Sequence, residues 1–347
     1  MASALPLDPP QRLVRTLGSQ HGHAGEQMGR AGEEWLAQLP ALLERVLEKW
    51  ELTPERVVSP GGRGSLVTLV RQADGAPAAL KLLAPYVSGA RERTERERTA
   101  LAHWNGHGAV QLLRSDDAEG ALLLERLHGE MSLRSLPEAK AMLEAASAVR
   151  RLWVAPEPDG AGAAAAESTV AGPGAGSAAG SAAGSAAGAG SLGTVAGHTA
   201  AGSAFLRSPA TPEEVRPLRD EALELRDGLL ADPPEEVLLH GDFRQGAVLA
   251  ADAGRVPWLA TGPDPLLGER TYDLARLVRD RLHDLLASPG AASATRRRLH
   301  KLADSLEVDR ERLRGWSLYR AVESGVRHIG SGNREDGELL LEFAGWL

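Results

Sequence analysis

The stretch Leu238–Leu249, LLHGDFRQGAVL, decides how the rest of the chain is read. Apolar residues lead into His240-Gly241-Asp242, and a second apolar pair, Val248 and Leu249, follows. The pattern predicts a strand, a tight turn and a second strand, with the Asp242 carboxylate at a strand end and pointing into a cleft. Chemistry concentrates on such loops, because a rigid scaffold fixes them while they stay accessible. A single Asp in a turn is also an ordinary turn residue, so the weight falls on what surrounds it.

Upstream, the alternating runs SLVTLVR (Ser65–Arg71) and AALKLL (Ala78–Leu83) flank the turn signal Asp74-Gly75, which predicts a hairpin. A charged helix is expected over 91–104 with Leu101 and Trp104 inward, then a second hairpin from AVQLLRSD (109–116) and ALLLERL (121–127). Before these, Trp35, Leu36, Leu39, Leu42, Leu43, Val46, Leu47 and Trp50 recur at helical spacing, with Pro40 interrupting that helix or opening its second half. Residues 1–30 show no clear period and are expected to be mostly irregular.

After Gly129 the pattern turns helical, beginning with 137–153. Residues 159–203, including the repeat GSAAGSAAGSAAGAGS (Gly176–Ser191), hold almost no large apolar side chain and read as a flexible insert. A helix is expected from Thr211, with Pro212 at its first position and Glu214 in a capping box. It is followed by a strand pair around His240-Gly241-Asp242, a helix over 271–286, and helices over 293–305, 308–327 and 336–346. The fold class is α+β, with a small β-rich lobe over 1–127 and a larger helical lobe over 128–347.

Composition narrows the partners. Across 347 residues, 43% are apolar and 25% charged, which is ordinary for a globular chain. The balance of 39 basic to 47 acidic residues gives a net charge of −8, which argues against nucleic acid or an anionic membrane and suits a cationic small molecule. No cysteine is present, which removes disulfides and thiolate metal sites. No apolar run reaches the roughly 18 residues of a membrane span, so a cytoplasmic location is expected.

In chain order, the polar residues are a glycine-rich turn (Gly61, Gly62, Gly64), Lys81 in a strand, Glu97 in the following helix and Asp242 in a later loop. Phosphoryl transfer from ATP asks for these parts. Bare backbone amides approach phosphates, a lysine held by a glutamate neutralises them, and an aspartate orients the attacking hydroxyl.

The chain resembles the aminoglycoside/hydroxyurea phosphotransferases, most closely the streptomycin 6-phosphotransferases. The resemblance covers about 30–156 and 212–347 and rests on AALKLL, ERTALAHWNGHGAVQLL (Glu97–Leu113), ALLLERL, LLHGDF, PWLATGPDPLLGERTYDLARLVRDRL (Pro257–Leu282) and the tail from Asp309 to Leu347. It implies a protein-kinase-like two-lobed fold, ATP in the cleft and an antibiotic hydroxyl as acceptor. By position, Asp242 would be catalytic. Lys81 would be the phosphate lysine and Glu97 its helix partner, with Gly61 and Gly62 at the phosphates, and Leu124–Leu127, with Glu125 and Leu127, would form the adenine hinge. Asp273 would brace the catalytic loop.

Three positions depart from the family pattern: Arg244 stands where it has a His, and the other two bear on the metal. Where it has an Asn and an Asp as Mg²⁺ ligands, this chain has Ala247 and Gly262, neither of which offers a side-chain oxygen to a hard cation. Mg²⁺ is therefore expected for the family with its ligands missing here, and no metal-ligating residue is assigned. Arg244, Gln245 and Asp264 stand as the nearby substitutes. Turnover is expected to be impaired, and a pseudokinase or binding module is the alternative.

Overall fold

The computed structural model describes residues 8–18, 23–85, 89–156, 192–208, 211–252, 254–287 and 289–347; the Gly176–Ser191 repeat lies outside them. Two helices, α1 (Gln11–Gly18) and α2 (His23–Lys49), precede a five-stranded antiparallel sheet. Its strands are β1 (Thr53–Val57), β2 (Ser65–Arg71), β3 (Pro77–Leu83), β4 (Leu112–Asp116) and β5 (Ala121–Glu125), in the order β1-β2-β3-β5-β4, with α3 (Ala90–Trp104) between β3 and β4.

The alternation of β3 places functional and structural residues on opposite faces. Leu80 and Leu82 enter an outer core with Leu66, Val70 and Leu123, closed by Leu39, Leu43 and Val46 of α2 and Leu13 and Leu17 of α1. Lys81 and Leu83 face the other way, and Leu83 joins Leu101 and Trp104 of α3 in the larger core. Leu80→Ala is expected to cost about 2–5 kcal/mol, because Leu80 is fully buried between sheet and helix. Chemical denaturation measures it, and a loss under 1 kcal/mol would contradict this packing.

The remainder is mostly helical. After β6 (His128–Ser132) come α4 (Glu138–Arg150), β7 (Gly193–Thr194), α5 (Val195–Leu206) and α6 (Arg216–Ala231). Then follow β8 (Val237–Leu239), β9 (Val248–Ala250), β10 (Trp258–Ala260), β11 (Leu266–Gly268), α7 (Arg270–Val278), α8 (Leu282–Leu286), α9 (Ala291–Leu306), α10 (Arg310–Gly330) and α11 (Arg334–Gly345). Two small sheets, β10-β9-β6 and β7-β11-β8, carry the central loops.

Several sequence expectations change. The strands around Asp242 do not pair with each other. β8 pairs with β11 and β9 with β10, so the loop spans two sheets. The expected insert ends earlier than residue 203, because Val195–Leu206 is a helix. Thr194 caps it through the Gly197 amide, and Val195 and Leu206 are buried in the core. Buried small residues, Thr199, Gly202 and Ser203, let it pack closely without large apolar side chains.

α2 runs unbroken through Pro40 and starts at residue 23. α6 begins at Arg216 after a turn of 3-10 helix over Glu213–Val215, with Pro217 rather than Pro212 in its first turn and no side-chain cap. The expected helix over 271–286 is split. Arg281 takes a left-handed φ of 54°, and its guanidinium reaches back to the carbonyls of Leu133, Arg134 and Leu136. Among the described residues, no helix is long and apolar enough to cross a membrane.

Candidate functional site

Lys81 and Glu97 meet as a closed pair. Lys81 Nζ is 2.6 Å from each Glu97 carboxylate oxygen, and both residues are buried. Glu97 lies on the inner stripe of α3 with Thr94, Leu101 and Trp104, at the three-to-four-residue spacing of one helix face. The stripe is readable in the sequence, although six neighbouring charges hide it.

The glycine turn is held from two sides. Arg93 of α3 donates to the carbonyls of Gly64 and Ala84, at 2.9 and 2.5 Å. Gly61 has a φ of 68°, and a side chain there would come 2.9 Å from Pro10 Cγ, so the segment leading into α1 rests on the turn. Gly62 is exposed and meets only Ser65.

Glu125 closes β5. Its carboxylate accepts from the Gln111 amide at 2.7 Å and pairs with Arg255, so that side chain is already engaged. Leu127 packs half-buried against the larger core. Between them Arg126 ties to Glu55 and to the carbonyls of Val70 and Ala78.

The loop after β8 is organised from below by Asp273. This fully buried carboxylate accepts from the backbone amides of His240 (2.8 Å) and Gly241 (2.7 Å), and from Trp153 Nε1 (3.3 Å). Burial raises its pKa to about 6 despite these donors and the nearby Arg320 charge. Arg320 donates to the carbonyls of Tyr272 and Gly241 at 3.0 Å each, with its guanidinium over the Tyr272 ring. The role expected of Asp273 was legible in the sequence; that of Arg320, 47 residues further along α10, was not.

His240 is buried against Trp104 and Phe243, and its Nε2 is 3.2 Å from the Thr261 carbonyl. A carbonyl accepts only, so it selects the neutral tautomer protonated on Nε2. Burial lowers the pKa to about 4. Unfolded, this residue takes up a proton near pH 6.5, and folded only near 4, so it draws down stability as pH falls through that window. Asp273 runs the opposite way, its contribution being full below the ordinary 3.8 and lost as pH rises through about 6. Between pH 6 and 4 the two contributions oppose each other. Imidazole NMR is expected to show His240 neutral down to about pH 4; a midpoint near 6.5 would contradict the buried tautomer.

Asp242 faces cations. Arg276 Nε lies 2.7 Å from Oδ1 and Arg244 Nε 3.4 Å from Oδ2. Burial works to raise its pKa, and Arg276 and then Arg244 outweigh it, so the carboxyl sits below its ordinary value. Arg276 stands three residues after Asp273 on α7, the one sequence cue that could have found it.

The two positions that bear on the metal meet the rest of the site differently. Gly262 is exposed, with a φ of 64°, and a Cβ built on it lies 4.0 Å from Lys81 Nζ. That places β3 of the sheet directly against the segment that follows β10. Ala247 is buried, and its carbonyl is taken by the Thr261 amide (2.7 Å) and hydroxyl (3.1 Å).

Of the nearby substitutes, Gln245 is already engaged. Gln245 is fully buried, accepts from Arg281 Nε at 2.6 Å and donates to Met142 Sδ at 3.1 Å. The charge of Asp264 acts on His198 of α5, alongside Glu323, Arg320 and Arg96, where burial is the first influence and lowers the imidazole pKa. Among the described residues no three His, Asp or Glu side chains group to hold a cation. With alanine and glycine at the two ligand positions, the residues present do not fit the Mg²⁺ site expected from the resemblance.

A family model described as aminoglycoside/hydroxyurea antibiotic resistance kinase matches residues 49–332. Streptomycin 6-kinase of Streptomyces glaucescens is 34% identical over 318 residues, covering 91% of this chain and 90% of that protein. Hydroxyurea phosphotransferase of Kitasatospora aureofaciens is 34% identical over 319 residues, covering 90% and 78%. Among solved structures, a thermostable aminoglycoside phosphotransferase mutant in complex with AMP-PNP and hygromycin B has a TM-score of 0.53 at 15% identity, covering 87% and 96%. Ethanolamine kinase of Plasmodium vivax has a TM-score of 0.56 at 12% identity, covering 96% and 92%. These likenesses give the protein-kinase-like fold.

Proposed function

The chain belongs to the aminoglycoside/hydroxyurea antibiotic resistance kinase family, and from that premise we propose that it transfers the γ-phosphoryl group of ATP to a hydroxyl of a streptomycin-type antibiotic, with impaired turnover. The observation that carries this reading is the Lys81–Glu97 pair and its 4.0 Å approach to position 262, which joins the expected phosphate lysine to the segment beside the Asp242 loop. With it goes a division into an ATP-binding part over 1–127 and an acceptor part from 128, in the cytoplasm.

In this reading the phosphates lie between the Gly61–Gly64 turn and Lys81, and the adenine beside the Glu125–Leu127 backbone. The acceptor hydroxyl donates its hydrogen bond to the Asp242 carboxylate, which is ionised at neutral pH. Its oxygen forms the new bond to the γ-phosphorus as the bond to the ADP leaving oxygen breaks. The proton passes to Asp242 and then to water. Because the transition state is loose, positioning and charge matter more than base strength. A cationic acceptor suits the exposed Asp264 carboxylate, whose backbone amide donates to the His240 carbonyl of the Asp242 loop at 2.9 Å.

Turnover is limited by the shell that does not fit a metal. Its charge stabilisation is worth several kcal/mol, and about 1.4 kcal/mol corresponds to tenfold in rate. The double variant Ala247→Asn, Gly262→Asp is expected to raise kcat for ATP-dependent streptomycin phosphorylation at least tenfold and to bring a Mg²⁺ dependence that the parent lacks. Mass spectrometry of the antibiotic reads the product. If neither protein phosphorylates streptomycin or hydroxyurea, the phosphotransferase reading falls. The second reading is a pseudokinase or binding module, favoured by the two guanidinium groups on Asp242. It predicts thermal stabilisation by antibiotic and nucleotide with no product formed.

A further inference from the structure

Four arginines gather where the glycine turn, the Asp242 loop and α1 come together. Arg244 Nη1 lies 3.0 Å and Arg134 Cδ 3.3 Å from a Cβ built on Gly246, so both side chains lie over the same glycine. Pro10 sits on Gly61, which brings Arg12 of α1 to the turn that carries Arg63. The pKa of Arg12 is lowered first by partial burial and then by the charges of Arg63, Arg244 and Arg134 in turn.

Arg12, Arg63 and Arg134 are exposed and have no carboxylate partner among the described residues. Arg244 shares the Asp242 carboxylate, at 3.4 Å, with Arg276, at 2.7 Å, so that one negative charge is divided between two guanidinium groups. Like charges held this close repel one another, and nothing in their packing requires it. A polyanion relieves the repulsion, and guanidinium forks match phosphate oxygens two at a time.

We propose that Arg12, Arg63, Arg134 and Arg244 form a polyphosphate-binding cluster that takes over the charge-neutralising work of the metal, so that this chain binds the triphosphate of ATP without a divalent cation. The proposal rests on the ATP reading above and adds the form of the ligand, the free tetra-anion rather than its Mg²⁺ complex. In that form the phosphates keep all their charge for the arginines. Mg²⁺ competes with the cluster for the same oxygens.

Calorimetric titration of the full chain with ATP, with adenosine and with inorganic tripolyphosphate, each in EDTA and in excess Mg²⁺, tests it. ATP and tripolyphosphate are expected to bind in EDTA and to bind no more tightly, or several-fold more weakly, with Mg²⁺. The exposed double variant Arg63→Ala, Arg134→Ala is expected to weaken ATP and tripolyphosphate at least tenfold in EDTA and to leave adenosine unchanged. Its melting temperature reports whether the fold is intact, and Arg63→Ala alone gives a milder second test with at least a threefold loss. ATP binding that requires Mg²⁺, or arginine variants that bind as the parent does, would overturn the cluster and leave the kinase reading standing. If neither ATP nor adenosine binds under any condition, both fall.

Discussion

Asp242→Asn is expected to lower kcat about 10²–10⁴-fold, the range for removing a positioned proton acceptor, with ATP affinity changed little. Asparagine keeps the shape of the side chain but cannot carry the proton away or hold the hydroxyl against a negative charge. The same change leaves Arg276 and Arg244 facing a neutral amide at the positions now 2.7 and 3.4 Å from the carboxylate. Arg276 is already pushed below its ordinary pKa by burial, with Asp242 the leading opposing influence, so losing that charge costs stability as well. Breaking a fully buried pair costs about 3–5 kcal/mol. Asp242 keeps 29% of its side-chain exposure, which reduces the expected cost to roughly 1–2 kcal/mol. Single-turnover kinetics and a melting curve separate the two effects. A variant within threefold of the parent in kcat would remove Asp242 from the chemistry.

Gly241→Ala is expected to be the most damaging conservative substitution in the loop. The backbone there has a φ of 77°, a region that costs a non-glycine residue about 1–2 kcal/mol. The added methyl would also lie 1.8 Å from the Asp264 carbonyl oxygen, a backbone atom that cannot rotate away. To admit it, the Asp264 amide must leave the His240 carbonyl, a 2.9 Å bond, and Asp273 must loosen one or both of its backbone donors. The combined loss is expected to exceed about 4 kcal/mol, lowering the melting temperature on the order of 10 °C and abolishing turnover. Gly75→Ala is the matched control. Its φ is 84° and open space surrounds it, so only the local strain of about 1–2 kcal/mol applies. If both variants melt alike, the contact with Asp264 is not what fixes the loop.

Legibility in the sequence followed the range of the interaction. β2 and β3 were readable because alternation and an Asp-Gly turn are local signals, and the same alternation puts Lys81 on the face opposite Leu80 and Leu82. The partner of Lys81 was readable from chain order, and the helical stripe through Thr94, Leu101 and Trp104 shows why Glu97 turns inward. What was not readable depended on pairing across distance. β8 and β9 look like one hairpin, and only β10 and β11, later in the chain, draw them into separate sheets. α5 was hidden because small residues carry its contacts, with Gly202 close to Tyr319 and Glu323. Arg320 and the arginines around Arg12 stand in helices and loops far apart, and no spacing rule connects them. Gln245 seemed available as a substitute ligand until its amide proved to be shared between Arg281 and Met142.

The resting place of α1 bears on how the protein is made. Leu13 and Leu17 are buried in a core whose other residues, from α2 and the strands, leave the ribosome after them, so during synthesis this helix has little to cover its apolar side. Its packing partner is α2, translated directly after it, with Gly32 close against Leu17. The Gly61 turn is covered by Pro10, two residues ahead of Arg12, so the start of α1 and the turn are held together. A tag joined after Leu347 would lie where Arg314 and Arg296 hold the carbonyls of the last two residues.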